Sequence, residues 1–319
     1  MRIRTLETFP DELDAIAKES PDATFYHSAA WIRSVAAVYS RFSFRCLLAE
    51  EGTAVVGLLP FFFIKKGPFR SAWSMPFGSY GGPIAQGPDV RGELLRAYGR
   101  TLSRGNMIEA GWVDFRNAGP APGPGWSTET CQTHLIDLRS GFEVLWAGAI
   151  DRQRRKRCRQ AERAGVSVRR ADSPEDLRSY YEIYSRRLAA WGRSDRYPFR
   201  LFEELLRRGG DSVRLYAAIH EGRVVGGHVN FYFGSMVTAW NGMTSPEADE
   251  VQAATMLYAH CIREACGEGY AVYNLGASLG KQSLIEFKES LGGVPYRYQQ
   301  YRRRSLVGAM AATVKRIGR

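Results

Sequence analysis

The residues able to do chemistry in this chain crowd toward its C-terminal half. Gly276-Ala277-Ser278-Leu279-Gly280-Lys281-Gln282 has the outline of a phosphate-binding loop. Such a loop needs four residues between its first Gly and the Gly-Lys pair, then Ser or Thr to hold Mg²⁺. Here three residues separate Gly276 from Gly280, and Gln282 stands where the hydroxyl is required. A loop one residue short cannot aim the same N–H groups at the phosphates, so the NTPase reading is set aside. Asn274 and Ser278 instead sit where a strand opens into a helix, a common place for binding residues and equally for turn and cap chemistry. His228 and Asn230 alternate with Val229 and Phe231 on one strand and so face one side. If that side lines a groove they are polar substrate contacts, and His228 could take a proton from an amine. Otherwise they form an exposed polar face. Trp240 and Asn241 follow on the neighbouring strand and could line the same groove. Arg186 or Arg187 could hold a phosphate, or lie on a solvated helix face. His134, Asp137 and Ser140 are close in sequence, but that spacing alone makes no nucleophile relay. Cys261 and Cys266 have no second pair for zinc. Neither a metal nor a cofactor is expected, and the five Cys read as structural thiols.

The elements that must position these residues are those of a globular protein. The chain has 319 residues, enough for two domains, with 45% apolar and 24% charged residues. No run approaches the ~20 apolar residues of a membrane span. Residues 1–7 lack the apolar core of a signal peptide, so the cytoplasm is the expected location. Charge is unevenly placed. Residues 1–150 hold 15 basic and 15 acidic side chains, and the net charge of +11 resides in the rest. Asp151–Arg170 carries nine Lys and Arg against two acids, and Arg297–Arg319 carries seven against none. Two such strips suggest an anionic partner, or a solvated helix and a loose tail. In the tail, Leu306, Met310, Val314 and Ile317 recur at spacings near four, as in an amphipathic helix for peripheral contact with an anionic membrane; docking onto the protein's own surface, or disorder, is the favoured alternative.

The chain also repeats itself weakly. Leu47–Phe63 and Ala217–Phe233 each read as strand, Glu-Gly turn, strand. At an offset of 170, Val55, Gly57, Phe61 and Phe63 match Val225, Gly227, Phe231 and Phe233. Helices are predicted before each hairpin (29–40 and 198–208) and after it (91–104 and 253–266), then strands at 112–116 and 271–276. Gly119–Gly125 is a Pro/Gly loop. The basic stretch 150–164 reads as a helix stopped by Gly165. Ser173-Pro174-Glu175-Asp176 is a strong helix start. The fold class is therefore α+β (mixed α/β) in two similar units, each a mixed central sheet flanked by helices.

The order of these features resembles the FemAB-like branch of the GNAT acyltransferase superfamily. Phe25–Trp31 is similar to its opening motif, and Gly57–Pro60 and Phe77–Pro83 to its first-domain hairpin and loop. Arg155–Gly165 is similar to its inter-domain basic helix. Asn274-Leu275-Gly276 followed by Phe287-Lys288-Glu289-Ser290-Leu291-Gly292 is similar to its closing signature. The resemblance implies two tandem GNAT-like domains: 1–145, a basic helix and strand at 146–170, 171–304, and a basic tail at 305–319. A substrate groove would lie between the domains. It implies N-acyl or aminoacyl transfer to an amine of a cell-envelope precursor or secondary metabolite. The donor would be an aminoacyl-tRNA or an acyl carrier, and the acceptor lipid-linked or nucleotide-linked. In the family the Lys of the Phe-Lys pair contacts the aminoacyl end of the donor, so Lys288 is the expected cation for the oxyanion, with Phe287 beside it. Trp31, Arg33 and Tyr80 could meet the acceptor. The turn Glu247–Thr255 has three acids and no Gly, a poor seat for the pyrophosphate of acetyl-CoA. A non-catalytic module binding RNA or an acidic glycan on the same fold stays open as the competing reading.

Overall fold

A computed structural model describes the chain except residues 104, 118, 120–122, 194–196, 306–307 and 309–319. The amphipathic pattern read in the tail falls almost entirely outside the described residues. Two compact units form: Met1–Cys131 with the segment from Arg297 onward, and Gln132–Tyr296.

In the first unit the strands are β1 (Arg2–Leu6), β2 (Phe42–Glu51), β3 (Ala54–Lys66), β4 (Phe69–Ser74), β5 (Ile84–Ala85) and β6 (Met107–Asp114). The helices are α1 (Asp11–Glu19), α2 (Ala29–Val38) and α3 (Pro88–Gly99). Ser28 caps α2 through a bond from the Trp31 N–H, and Pro88 opens α3 at a position that needs no N–H. Strands β1 to β4 pair antiparallel in order, α3 crosses over, and β6 returns parallel to β4. Val90, Leu94 and Tyr98 on α3 pack against Leu59, Phe61 and Phe63 of β3 in the first core.

The second unit repeats the plan. It takes in the end of β7 (Ser127–Asp137), then α4 (Phe142–Val144), a π-helical turn (Leu145–Ala149), α5 (Arg152–Arg163), β8 (Ser167–Arg170), α6 (Pro174–Ala190) and α7 (Phe199–Gly209). Next come β9 (Val213–His220), β10 (Arg223–Phe233), β11 (Met236–Thr244), α8 (Pro246–Glu250), α9 (Ala253–Gly267), β12 (Val272–Ala277) and α10 (Gln282–Glu289). Strands β8 to β11 pair antiparallel, α9 crosses over, β12 lies parallel to β11, and β7 closes antiparallel on β12.

The last strand, β13 (Val294–Arg304), differs from the sequence reading. Its residues Gln299–Arg304 pair with β6, so this stretch, read as part of the second half, completes the sheet of the first. Only long-range pairing decides that, and local pattern carries no trace of it. The repeat also registers differently from the sequence alignment. The first hairpin turns at Gly52-Thr53 and the second at Glu221-Gly222, with Val56 and Val225 as the bulged residues. The spatial offset is thus 169, one less than the offset at which identities match. Each side chain therefore falls on the face opposite to that of its identity match.

Candidate functional site

Strand β12 takes a positive φ of 75° at Gly276 and leads into the turn Ser278–Lys281, where Leu279 and Gly280 take φ of 49° and 73°. That reversal turns the carbonyls of Gly276 and Ala277 toward α10, where Lys288 waits in the last turn. Its Nζ donates to both, at 2.6 and 3.0 Å. Lys288 is only 2 % exposed, and burial lowers its ammonium to about 8. A charge so deep persists only where it is hydrogen-bonded. An ammonium has three donors, and the two carbonyls use two of them.

Phe287 lies beneath the Arg154 guanidinium at 4.4 Å and edge-on to Tyr258 at 5.3 Å. Arg154 Nε donates to Ser290 Oγ at 2.7 Å, and the Asp151 N–H donates to the Ser290 carbonyl at 3.0 Å. The first turn of the basic helix is thereby clamped onto the C-terminal turn of α10. Arg155 caps the preceding π-helical turn through the carbonyls of Trp146, Ala147 and Ile150.

His228 and Asn230 do share one side of β10, and that side is the buried one facing α9. His228 Nδ1 lies 2.9 Å from Asn230 Oδ1, which also accepts from the Tyr273 hydroxyl at 2.7 Å. Asn230 Nδ2 donates to Cys261 Sγ at 3.3 Å. An amide oxygen only accepts, so His228 Nδ1 carries the hydrogen and Nε2 is bare. Burial, with the charge of Lys288 adding to it, pulls the imidazole down to about 4 against the Asn230 bond. His228 is neutral at pH 7 and a weak base. Its ring packs on Tyr258 at 4.6 Å beside a cavity of about 70 Å³. A Cβ on Gly242, across the ladder, would stand 2.2 Å from His228 Cδ2.

The other sequence candidates divide by position. Asn274 Oδ1 accepts from Thr133 Oγ1 at 2.7 Å and from the Gly276 N–H at 2.9 Å, which ties β12 to β7 and shapes the turn. Ser278 is 4 % exposed, and among the described residues its hydroxyl has no partner. Trp240 points to the opposite face, stacked on Phe231 at 5.0 Å and against Phe202 at 5.1 Å. Asn241 Oδ1 accepts from the Tyr180 hydroxyl. Arg187 reaches Asp249 at 3.3 Å and lies over Trp191. In the first unit Trp31 is fully buried and edge-on to Tyr26, which also meets Tyr80. Tyr80 stacks on Phe115 at 4.4 Å. Arg33 donates to the Phe9 carbonyl and Asp11 Oδ1, both at 2.7 Å. Lys288, Phe287 and His228 are thus brought together, with Asn274 and Ser278 on the adjoining turn. Trp240, Asn241 and Arg187 lie elsewhere in the second unit, and Trp31, Arg33 and Tyr80 belong to the first.

Sequence reasoning missed Tyr258, Cys261, Tyr273 and Arg154. The spacing of Tyr258 and Cys261 on α9 was the available signal, since residues three apart share a helix face. The ladder between β11 and β12 covers only Met236–Thr238 and Val272–Asn274, after which β11 continues to Thr244. Its exit runs through the acidic α8 and Gln252 at φ 58° before α9 begins. That entry offers carboxylates where a pyrophosphate would need N–H groups.

Residues 150–289 match the family model described as an acetyltransferase (GNAT) domain. No curated protein matches the chain by sequence. Among solved structures the chain is similar to FemX, at TM-score 0.73 and 12% identity, over 93% of this chain and 96% of that one. It is similar to the C-terminal domain of a putative lysylphosphatidylglycerol synthetase from Agrobacterium fabrum, at TM-score 0.63 and 13% identity, over 95% and 94%. A tandem GNAT protein from the clavulanic acid biosynthesis pathway gives TM-score 0.57 at 16% identity, over 95% and 98%. Identities this low establish the shared fold.

Proposed function

We propose that this chain, whose residues 150–289 match a GNAT acetyltransferase domain and whose fold is similar to that of FemX, is a tandem GNAT acyltransferase that transfers an aminoacyl group from RNA to an amine. The acceptor class is a cell-envelope precursor or a secondary metabolite. The observation that carries this reading is Lys288, a buried ammonium fixed by two carbonyls at the end of β12. In such a transfer the neutral amine attacks the ester carbonyl, whose oxygen becomes an oxyanion. A preorganised cation in a dry site stabilises that charge more than water does. The third N–H of Lys288 supplies the contact. The tetrahedral carbon then forms the amide as the C–O bond to the ribose breaks, and the amine proton leaves to the ribose oxygen or to solvent. Phe287 holds the backbone of Lys288 in place through Arg154 and Tyr258. Neutral His228 sets the Tyr258 ring rather than accepting the amine proton, since a base near 4 holds few protons at pH 7.

The choice of an aminoacyl ester over a coenzyme A thioester rests on the acidic entry to α9. The name of one neighbour in fold, a lysylphosphatidylglycerol synthetase, also denotes an aminoacylated product. A thioester donor is the second reading, favoured by the acetyltransferase description of the family matched at residues 150–289.

The test is incubation of the protein with candidate amines and a panel of aminoacyl-tRNAs and acyl thioesters, with products read by mass spectrometry. Lys288→Met should lower turnover by about 10²-fold or more, the scale of losing one oxyanion donor, while circular dichroism stays native. Near-normal turnover by that variant would sink the assignment.

A further inference from the structure

Helix α5 sorts its cations into two sets, and the reaction above uses only one. Arg154 and Arg155 turn inward to Ser290, Phe287 and the π-helical turn. Arg152, Lys156, Arg159 and Arg163 recur at spacings of four, three and four, which places them within an arc of about 60° on the helix. Cys158 and Ala161 occupy the opposite side, buried, with Cys158 Sγ donating to the Thr255 carbonyl of α9 at 3.7 Å. All four outward cations are exposed, and among the described residues none has an acidic partner. Like charges at this spacing oppose the helix by a few tenths of a kcal/mol per pair. An unpartnered row kept at that cost calls for an anionic ligand.

We propose that this stripe docks the sugar–phosphate backbone of the donor RNA, leading it along α5 away from the aminoacyl end at Lys288. The inference rests on the aminoacyl-RNA reading and adds the surface that holds the donor. The stripe spans about 16 Å, at 1.5 Å per residue. A nucleic acid strand presents a phosphate about every 3.4 Å of axis, so the row meets roughly five of them. The helix is also correctly placed, since its first turn is bonded to the turn that carries Ser290, two residues after Lys288. The exposed positions of α5 (Arg152, Gln153, Lys156, Arg159, Gln160, Glu162, Arg163) carry no apolar side chain, and their one acid, Glu162, lies beside the row rather than in it. This face therefore lacks what a bilayer surface or the core of a protein interface would bury.

The experiment compares the wild-type protein with Arg152→Gln/Lys156→Gln/Arg159→Gln/Arg163→Gln. A labelled RNA hairpin with a single-stranded 3′ end is titrated from 50 to 300 mM KCl. The slope of log affinity against log salt should become shallower by about 3 in the variant, at 0.7 to 0.9 per phosphate contact. In parallel, transfer is measured from the aminoacylated hairpin and from an aminoacylated dinucleotide too short to reach α5. The variant should raise KM for the hairpin at least tenfold and leave the dinucleotide reaction unchanged. An unchanged slope overturns the proposal, as does a variant that loses only binding to phosphatidylglycerol vesicles. Absence of transfer from both donors by the wild-type protein sinks the aminoacyl-RNA reading, while the slope still decides whether α5 holds RNA. The four side chains are exposed, so the thermal midpoint checks that the variant folds.

Discussion

On the strand that faces each crossover helix, the two units place opposite chemistry. In the first, β3 presents Leu59, Phe61 and Phe63 to α3. In the second, the spatially equivalent row of β10 is His228, Asn230 and Tyr232, facing α9. A hydrocarbon row gains stability by burial alone. A polar row loses by desolvation unless every group is paired, and Asn230 meets that condition with bonds to His228, Tyr273 and Cys261. Among the described residues of the first unit, no helix follows β6 as α10 follows β12. One copy of the duplicated frame is packed as scaffold. The other spends core volume on a network beside Lys288.

Titration is where this difference vanishes, and it gives the largest expected effect. His27 in the first unit is also pulled down to about 4, mainly by burial, as His228 is in the second. Each is neutral when folded and protonates near 6.5 when unfolded. Between pH 6.5 and 4 the unfolded chain therefore binds more protons, and stability falls as pH falls. Each histidine contributes about 3 kcal/mol, because every tenfold loss of proton affinity on folding is worth about 1.4 kcal/mol. Urea denaturation at pH 7, 5.5 and 4.5 should show the loss, complete only near pH 4. A flat profile would mean that neither imidazole is held neutral by burial.

The next effect belongs to the first unit. Arg91 is 5 % exposed, pairs with Asp114, and donates to the Pro83 carbonyl at 3.1 Å. Arg91→Leu removes a buried cation from beside the Asp114 carboxylate, at a cost of about 3–5 kcal/mol. Hydrogen exchange should show the loss first in β6 and α3. Protection there equal to wild type would remove this pair from the account of what holds the scaffold.

Asn230→Leu probes the polar row directly. The swap keeps the branching of the side chain but strands the His228 Nδ1–H and the Tyr273 hydroxyl, at about 1–3 kcal/mol each. Phe61→Leu, on the equivalent row, should cost about 1 kcal/mol, as volume-related apolar swaps do. Equal midpoints for the two variants in urea would erase the contrast between the units.

Much of this frame is legible in the sequence, and the exceptions share a cause. Ser173 caps α6 by accepting from the Asp176 N–H, as its motif predicts, and α9 and β12 fall within a residue of the expected bounds. These are local signals. The alternation around His228 and Asn230 fixes that they share a face, but not that α9 covers it, because the covering helix comes from about thirty residues downstream. The sorting of Arg154 from Arg152 on α5 is equally hidden, since both are arginines on a basic helix until Phe287 and Ser290 arrive. The same holds for Lys288. Sequence places it on a helix, and only the turn at Gly276–Ala277 buries its ammonium.

The smallest expected effect tests whether the network shapes the sheet around it. A methyl on Gly242 would meet the edge of the His228 ring, which cannot withdraw, because Asn230 holds Nδ1 and Tyr258 covers the face. Gly242→Ala should therefore cost about 1–3 kcal/mol by overpacking. In the first unit Gly57 is crowded differently, by Val90 Cγ1 at 2.8 Å and by the Ile84 carbonyl and Leu94 Cδ1, both at 3.0 Å. If His228 is the obstacle, His228→Ala makes room for the new methyl. The double variant is then more stable than the sum of the single losses predicts, by about 1 kcal/mol or more. Gly57→Ala combined with His228→Ala should simply add, since the two positions share no neighbour. Additivity in the first pair would mean that Gly242 answers to the strand backbone rather than to the histidine, and the polar row would then sit in the second unit without having shaped it.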